Sequence, residues 1–335
     1  MKKYLLVALF ILALPLASPA ADQRLLIIDD DLGMLKSAVA KAGTYQMPWV
    51  KITDPDGGLE LLYALNDPRV TVLGITCSMG CSTLDVCLAS AHRLLELAGR
   101  TDVPVLRGAA TPAEFGQPTD ASRFIIETVM ARPGQVEIIA TAPLTNVATA
   151  LKLEPRLAQN WKTLHFATGE FWGALGETSD AYRFRWTGYQ DLNINVDPAA
   201  ARYVLEHGGV FPIYPNEVMD DAWLTWSDQR RIRAAGTPLA RFVAEEIGPF
   251  LWMGLTVGRL AGYRGLYLHG TIPLAIALDP EVAAPPVMRR VTMVDGGRNG
   301  FHFAFTDAPS VPERPVFVRL ADRNRVAGQT IRTCR

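Results

Sequence analysis

Residues 25–33 read LLIIDDDLG: four apolar residues run straight into three consecutive aspartates, Asp29, Asp30 and Asp31, and the turn closes on Gly33. A short apolar run bounded by turn-forming residues predicts a strand buried on both faces. Similar runs follow at VTVLGIT (70–76), PVL (104–106), VEIIAT (136–141), TLHFAT (163–168) and FPIY (211–214). Between them lie ASAHRLLELAG (89–99), TNVATALKL (145–153) and DPAAARYVLEHG (197–208), whose apolar spacing suits amphipathic helices. Strands alternating with helices predict one α/β domain over residues 21–335, a mostly parallel sheet flanked by helices. The less regular part from about Pro285 predicts a small C-terminal hairpin.

Ligands of such sheets sit at the carboxyl ends of the strands. That rule directs attention to Asp29, Asp30 and Asp31 after the first run, Thr141 after the fourth, and Thr168 and Gly169 after the fifth. A further acidic pair, Asp54 and Asp56, opens the helix that begins near Leu59. Three adjacent aspartates repel one another and persist most easily where a cation or a substrate hydroxyl offsets the charge. A solvated turn with a helix N-cap accounts for the same residues equally well.

Composition narrows the partners. A formal net charge of −1, with 49% hydrophobic and 20% charged residues, gives no electrostatic reason to expect nucleic acid or an anionic membrane. At the N-terminus, Lys2 and Lys3 precede an apolar run from Leu5 to Leu16, too short to span a bilayer. Ala17, Ser18, Pro19 and Ala20 follow, so residues 1–20 are expected to be a cleavable signal peptide and the protein to be periplasmic or secreted, with no membrane segment after cleavage. In an oxidising compartment the four cysteines, Cys77, Cys81, Cys87 and Cys334, are expected to form disulfides, with three complete pairings open. A zinc site is the alternative, but the spacing lacks a CxxC pair and a matching His.

The order of motifs resembles the inosine-uridine preferring nucleoside hydrolases over most of the mature chain. IIDDDLG supplies that family's DxDxG pattern through Asp29, Asp31 and Gly33, and DPDGGLELLYAL its helix-opening acidic pair, displaced by about twenty inserted residues from Met34 to Thr53. NDPRVTVLGIT, IIATAPLTNVATAL, DLNINVDPAAARYV and LHGTIPLAIALDPEV follow in the family's order.

The resemblance implies hydrolysis of the N-glycosidic bond of a ribonucleoside or related riboside, and leaves homo-oligomerisation open. It implies a Ca²⁺ ion held by strand-end aspartates and a backbone carbonyl, ligands that suit a hard cation. Carried across, Asp31 is the general base and a metal ligand, Asp29 its metal-binding neighbour, and Thr141 the carbonyl donor. Asp56, Asn193 and Asp191 become ribose contacts. His269 is the candidate proton donor to the leaving base, against a structural histidine. Phe171, Trp172, Tyr182, Phe184 and Trp186 lie where the family carries a loop over the base, and Trp172 is the expected stacking partner.

Three positions depart from the pattern. Gly57 stands where a second aspartate is expected to bind the metal. At HGTIPLA the alignment places Ile272, or in another register Gly270 after His269, where a further metal-binding aspartate belongs. Cys81 replaces a ribose-binding asparagine. The departures favour a rival reading, a non-catalytic nucleoside- or sugar-binding member of the same fold. A haloacid dehalogenase-like phosphatase, with Lys152, Asp220 and Asp221 as partners of the DxD, is a weaker rival because APLTN and NINVDP have no place in it. A periplasmic solute receptor would need two matched lobes, and no second half resembles the first.

Overall fold

A computed structural model of the chain describes residues 23–46, 49–175, 191–260 and 262–335. The expected signal peptide lies outside the described residues, as do Tyr182, Phe184 and Trp186. Each apolar run forms a strand within a residue or two of its predicted limits: β1 (Arg24–Asp30), β2 (Val70–Cys77), β3 (Val105–Arg107), β4 (Val136–Ala140), β5 (Thr163–Ala167) and β6 (Ile213–Tyr214). A two-stranded ribbon, β7 (Trp223–Leu224) and β8 (Leu266–Tyr267), stands apart. The hairpin expected after Pro285 is β9 (Val287–Asp295) with β10 (Phe301–Phe305), and β11 (Glu313–Val316) joins it to the main sheet.

The resulting nine-stranded sheet runs β10-β9-β11-β6-β5-β4-β1-β2-β3. β1 to β6 pair in parallel, whereas β9 pairs antiparallel with β10 and β11. β1 is central, flanked by β2 and β4, which explains an apolar run without polar alternation: Leu26 and Ile28 feed the core on one face and Ile27 the core on the other. The same alternation sends Asp29 and Asp30 to opposite faces at the strand's end.

Helices cover both faces: α1 (Lys36–Ala42), α2 (Asp56–Asn66), α3 (Leu84–Ala98), α4 (Asp120–Met130), α5 (Thr145–Leu153) and further helices beyond. α3 is framed by its sequence, with the Thr83 hydroxyl accepting from Val86 N–H at one end and Gly99 left-handed at the other. α2 packs through Leu59, Leu61 and Leu62, all wholly buried. No helix among the described residues is long and apolar enough to cross a membrane.

The disulfide expectation is corrected: all four cysteines are free thiols. Their geometry gives each another environment. The Cys81 thiol donates to the Asp31 carbonyl at 3.1 Å and that of Cys87 to the Asp30 carbonyl at 3.3 Å, while Cys77 and Cys334 are sealed in the core.

Candidate active site

The parallel strands end on a cavity of about 500 Å³, a size that suits a small organic ligand. Its wall collects Asp31 from the end of β1, Gly80 and Cys81 from beyond β2, Thr141 from beyond β4, and Asp191 and Asn193 from the helix Leu192–Val196 and its cap. His269 and Gly270 enter from beyond β8, and Asp54 and Asp56 from the start of α2. The inserted segment supplies Thr44, Gln46, Val50, Ile52 and Thr53, so it builds part of the wall. Apolar surface comes from Met219, Phe250 and Met253.

Asp31 is held from two sides. Its Oδ2 accepts the Cys81 N–H at 2.5 Å, and its carbonyl accepts the Ser82 hydroxyl at 2.9 Å. Burial pushes its carboxyl up to about 7; the Cys81 amide pulls the other way and the charge of Asp56 adds to the rise. A carboxylate that titrates near neutrality is well placed to take a proton from water. Cys81 offers no nucleophile, because burial and the charges of Asp31 and Asp54 raise its thiol well above the usual range.

Asp29 sits beneath the wall. Its Oδ1 accepts from Thr76 Oγ1 at 2.6 Å and from Asn146 Nδ2 at 2.9 Å, while its buried Oδ2 has no hydrogen-bond partner. Burial lifts its carboxyl to about 6 against those two donors. Asn146 also accepts the Ala109 N–H at 2.8 Å and donates to the Cys77 carbonyl at 3.1 Å. One amide thus ties the ends of β1, β2 and the loop after β3, a role the sequence reading did not give it.

Asp56 Oδ2 accepts the Gly270 N–H at 2.8 Å and so joins the start of α2 to the segment after β8. Asn193 Nδ2 donates to the Thr141 carbonyl at 2.7 Å, which places that carbonyl on the cavity. Asp191 caps the helix: its Oδ1 accepts the Ile194 N–H at 2.9 Å and the Thr168 hydroxyl at 2.8 Å. His269 Nε2 lies 2.9 Å from Asp220 Oδ1, and its ring stacks on Tyr267. Burial alone would lower the imidazole, but the Asp220 hydrogen bond and the charges of Asp220, Asp56 and Asp54 outweigh it and raise the pKa to about 9.

Two expected residues fall elsewhere. Trp172 is absent from the described wall; at φ 51° it stacks face to face on His302, with ring centroids 3.7 Å apart. Lys152, which the phosphatase reading requires, holds its ammonium 4.7 Å from the Phe115 ring centroid and lines no part of the cavity. Asp220 serves His269, and Asp221 accepts the Leu320 N–H.

The sequence reading missed Glu60. It lies in α2 wholly buried, its Oε2 accepting the Thr141 hydroxyl at 3.0 Å and its Oε1 without a hydrogen-bond partner. The available signal was a carboxylate inside LELLYAL, where apolar residues flank it on both sides. Burial, together with the charges of Asp56, Asp29 and Asp31, raises its carboxyl well above the usual range despite the Thr141 hydrogen bond. Among the described residues of the wall there is no lysine or arginine, and His269 is the one basic side chain. Such an arrangement favours a ligand or transition state that carries positive charge.

Comparison with known proteins agrees with this geometry. Residues 52–332 match the sequence profile described as inosine-uridine preferring nucleoside hydrolase. The match begins inside the inserted segment, beyond β1 and its three aspartates. The pyrimidine-specific ribonucleoside hydrolase RihA of Citrobacter koseri is 30% identical over 252 residues, covering 68% of this chain and 77% of that protein. Among solved structures, a purine-preferring ribonucleoside hydrolase from Gardnerella vaginalis superposes with a TM-score of 0.74 at 20% identity, covering 93% of this chain and 98% of the other. A plant nucleoside hydrolase, PpNRh1, gives a TM-score of 0.72 at 20% identity and the same coverage.

Proposed function

Because this chain belongs to the inosine-uridine preferring nucleoside hydrolase family, we propose that its cavity hydrolyses the N-glycosidic bond of a ribonucleoside, with Asp31 activating the attacking water. The observation that carries the reading is the meeting of Asp31, Asp56, Asn193 and His269, from four separated stretches of chain, on one wall. Asp56 and Asn193 hold the ribose hydroxyls. Asp31 takes a proton as the water oxygen bonds to the anomeric carbon; the bond from that carbon to the base nitrogen breaks, and His269 delivers a proton to the leaving base. The acidic wall stabilises the oxocarbenium-like charge that develops between these events.

The donor chemistry suits a hard cation such as Ca²⁺, since buried carboxylate oxygens of Asp29, Asp30 and Glu60 have no hydrogen-bond partner. Among the described residues no three acidic, histidine or cysteine side chains already converge to hold one. Asp31 and the Thr141 carbonyl are the wall groups that would hold it, and a bound cation supplies charge neutralisation and acidifies water.

Uridine, cytidine and inosine assays for free base test this directly. Because His269 works as an acid only while protonated, activity is expected to fall as pH rises through about 9. Asp220→Asn keeps a hydrogen-bond acceptor but removes the negative charge that helps raise the imidazole, so the alkaline limb should move to lower pH. A limb that stays in place in Asp220→Asn, or is present in His269→Asn, would remove His269 from the mechanism.

Export to the periplasm or the exterior is part of the same proposal, supported by Lys2, Lys3, the Leu5–Leu16 run and the small residues that end at Ala20. Protein recovered from an expressing Gram-negative bacterium should begin at Ala21 on N-terminal sequencing; an intact Met1 would contradict it.

A further inference from the structure

Besides Gly80 against Asp31, two glycines of the site have lost their side-chain space to carboxylates from elsewhere. A Cβ built on Gly57 would lie 2.3 Å from Asp30 Oδ2 and 2.6 Å from Asp30 Oδ1. A Cβ on Gly270 would lie 2.5 Å from Glu60 Oε2. Gly57, and Gly270 in the register that follows His269 rather than the one that places Ile272, are positions where the resemblance expects metal-binding aspartates and finds none. Asp30 is at most 2% exposed and Glu60 is wholly buried, yet Asp30 Oδ2 and Glu60 Oε1 have no hydrogen-bond partner. Burying two unpaired carboxylate oxygens costs free energy that the fold would avoid with alanine or leucine unless a charged partner visits them.

We infer that Asp30 and Glu60 are relocated cation ligands, each delivering from another part of the chain the carboxylate that Gly57 and Gly270 lack. The two exchanges are reciprocal in space: the glycine is required because the incoming carboxylate fills its side-chain volume. Asp30 reaches Gly57 because strand alternation turns it to the α2 face, opposite Asp29. Glu60 reaches Gly270 because it lies one helical turn beyond Asp56, whose own carboxylate already binds the Gly270 N–H. Both carboxylates belong to a buried acidic cluster whose charge a divalent cation would neutralise. This inference rests on the proposed reading of the cavity, but its test does not depend on turnover.

Calorimetric titration of the full mature chain with Ca²⁺ is expected to show binding, and Ca²⁺ should raise the unfolding temperature relative to chelator. Asp30→Asn and Glu60→Gln, which keep shape and remove charge, should each weaken Ca²⁺ binding by about tenfold or more. In chelator both should unfold no earlier than wild type, since each removes a repelling buried charge. Should either variant fail to fold, the paired exchange Asp30→Gly with Gly57→Asp returns a carboxylate to the same space and should bind Ca²⁺ more tightly than Asp30→Gly alone. No Ca²⁺ binding by wild type, or wild-type affinity in both amide variants, would overturn the inference. Loss of Ca²⁺ binding in the variants from a wild type that hydrolyses no nucleoside would uphold it and sink the proposed function instead; hydrolysis indifferent to chelator and to both substitutions would do the reverse.

Discussion

Asp31→Asn is expected to lower kcat for nucleoside hydrolysis by about 10³-fold, within the range for loss of a positioned general base. The substitution is nearly isosteric. Asparagine can still accept the Cys81 N–H that Asp31 Oδ2 accepts now, so the turn after β2 should hold. What disappears is the group able to take the proton from water, in a carboxyl that burial has brought up to about 7. Steady-state kinetics, with circular dichroism and unfolding temperature as controls on folding, check this. Unchanged kcat in a folded Asp31→Asn protein would mean that the base is another residue.

A second large loss is expected from a residue with no side chain. A Cβ on Gly80 would stand 1.7 Å from Asp31 Oδ2 and 2.8 Å from the Pro143 ring. The backbone at Gly80 has little freedom to yield, because its N–H is bonded to the Ser82 carbonyl at 2.9 Å. Gly80→Ala therefore displaces the Asp31 carboxylate, and a misplacement of about 1 Å in a catalytic group can cost roughly 10²-fold in rate. The expected result is a fall in kcat of about that size with a modest drop in unfolding temperature. Wild-type kcat in Gly80→Ala would show that Asp31 is not used in the position found here.

The fold was legible because its strands are buried on both faces. LLII and VEIIA carry no polar alternation, and they lie at the centre of the sheet, where none is needed. The strand-end rule then led to Asp31 and Thr141, since what matters at a parallel sheet's edge is which residue follows each run, while Asp56 and Asn193 received their ribose roles from the family resemblance. Tertiary reach was not legible. Glu60 sits in a helix that reads as ordinary, and only the approach of Gly270, 210 positions later in the chain, reveals why a carboxylate is buried there. Asn146 looked like one letter of APLTN until its three side-chain hydrogen bonds placed it under Asp29. Trp172 was expected over the ligand by analogy of position, but the hairpin added after Pro285 offers it His302 to stack on. The cysteine expectation failed because compartment says what chemistry is permitted, and geometry says which thiols can meet.

The inserted segment illustrates the same division. From Met34 to Thr53 the sequence gives no hint of whether it shields or completes the pocket. In the fold it contributes Thr44, Gln46, Val50, Ile52 and Thr53 to the wall, and the Thr53 hydroxyl donates to the Cys81 carbonyl at 2.6 Å. The insertion is thereby bonded to the turn that positions Asp31.

The central claim is that water, activated at Asp31, attacks the sugar carbon of an intact nucleoside. Turnover in water enriched in the heavy oxygen isotope, with mass analysis of both products, reads that event directly. The account predicts free base carrying no label and ribose carrying one heavy oxygen at the anomeric position. A bound nucleoside recovered unchanged, or label found in the base and absent from the ribose, would contradict it.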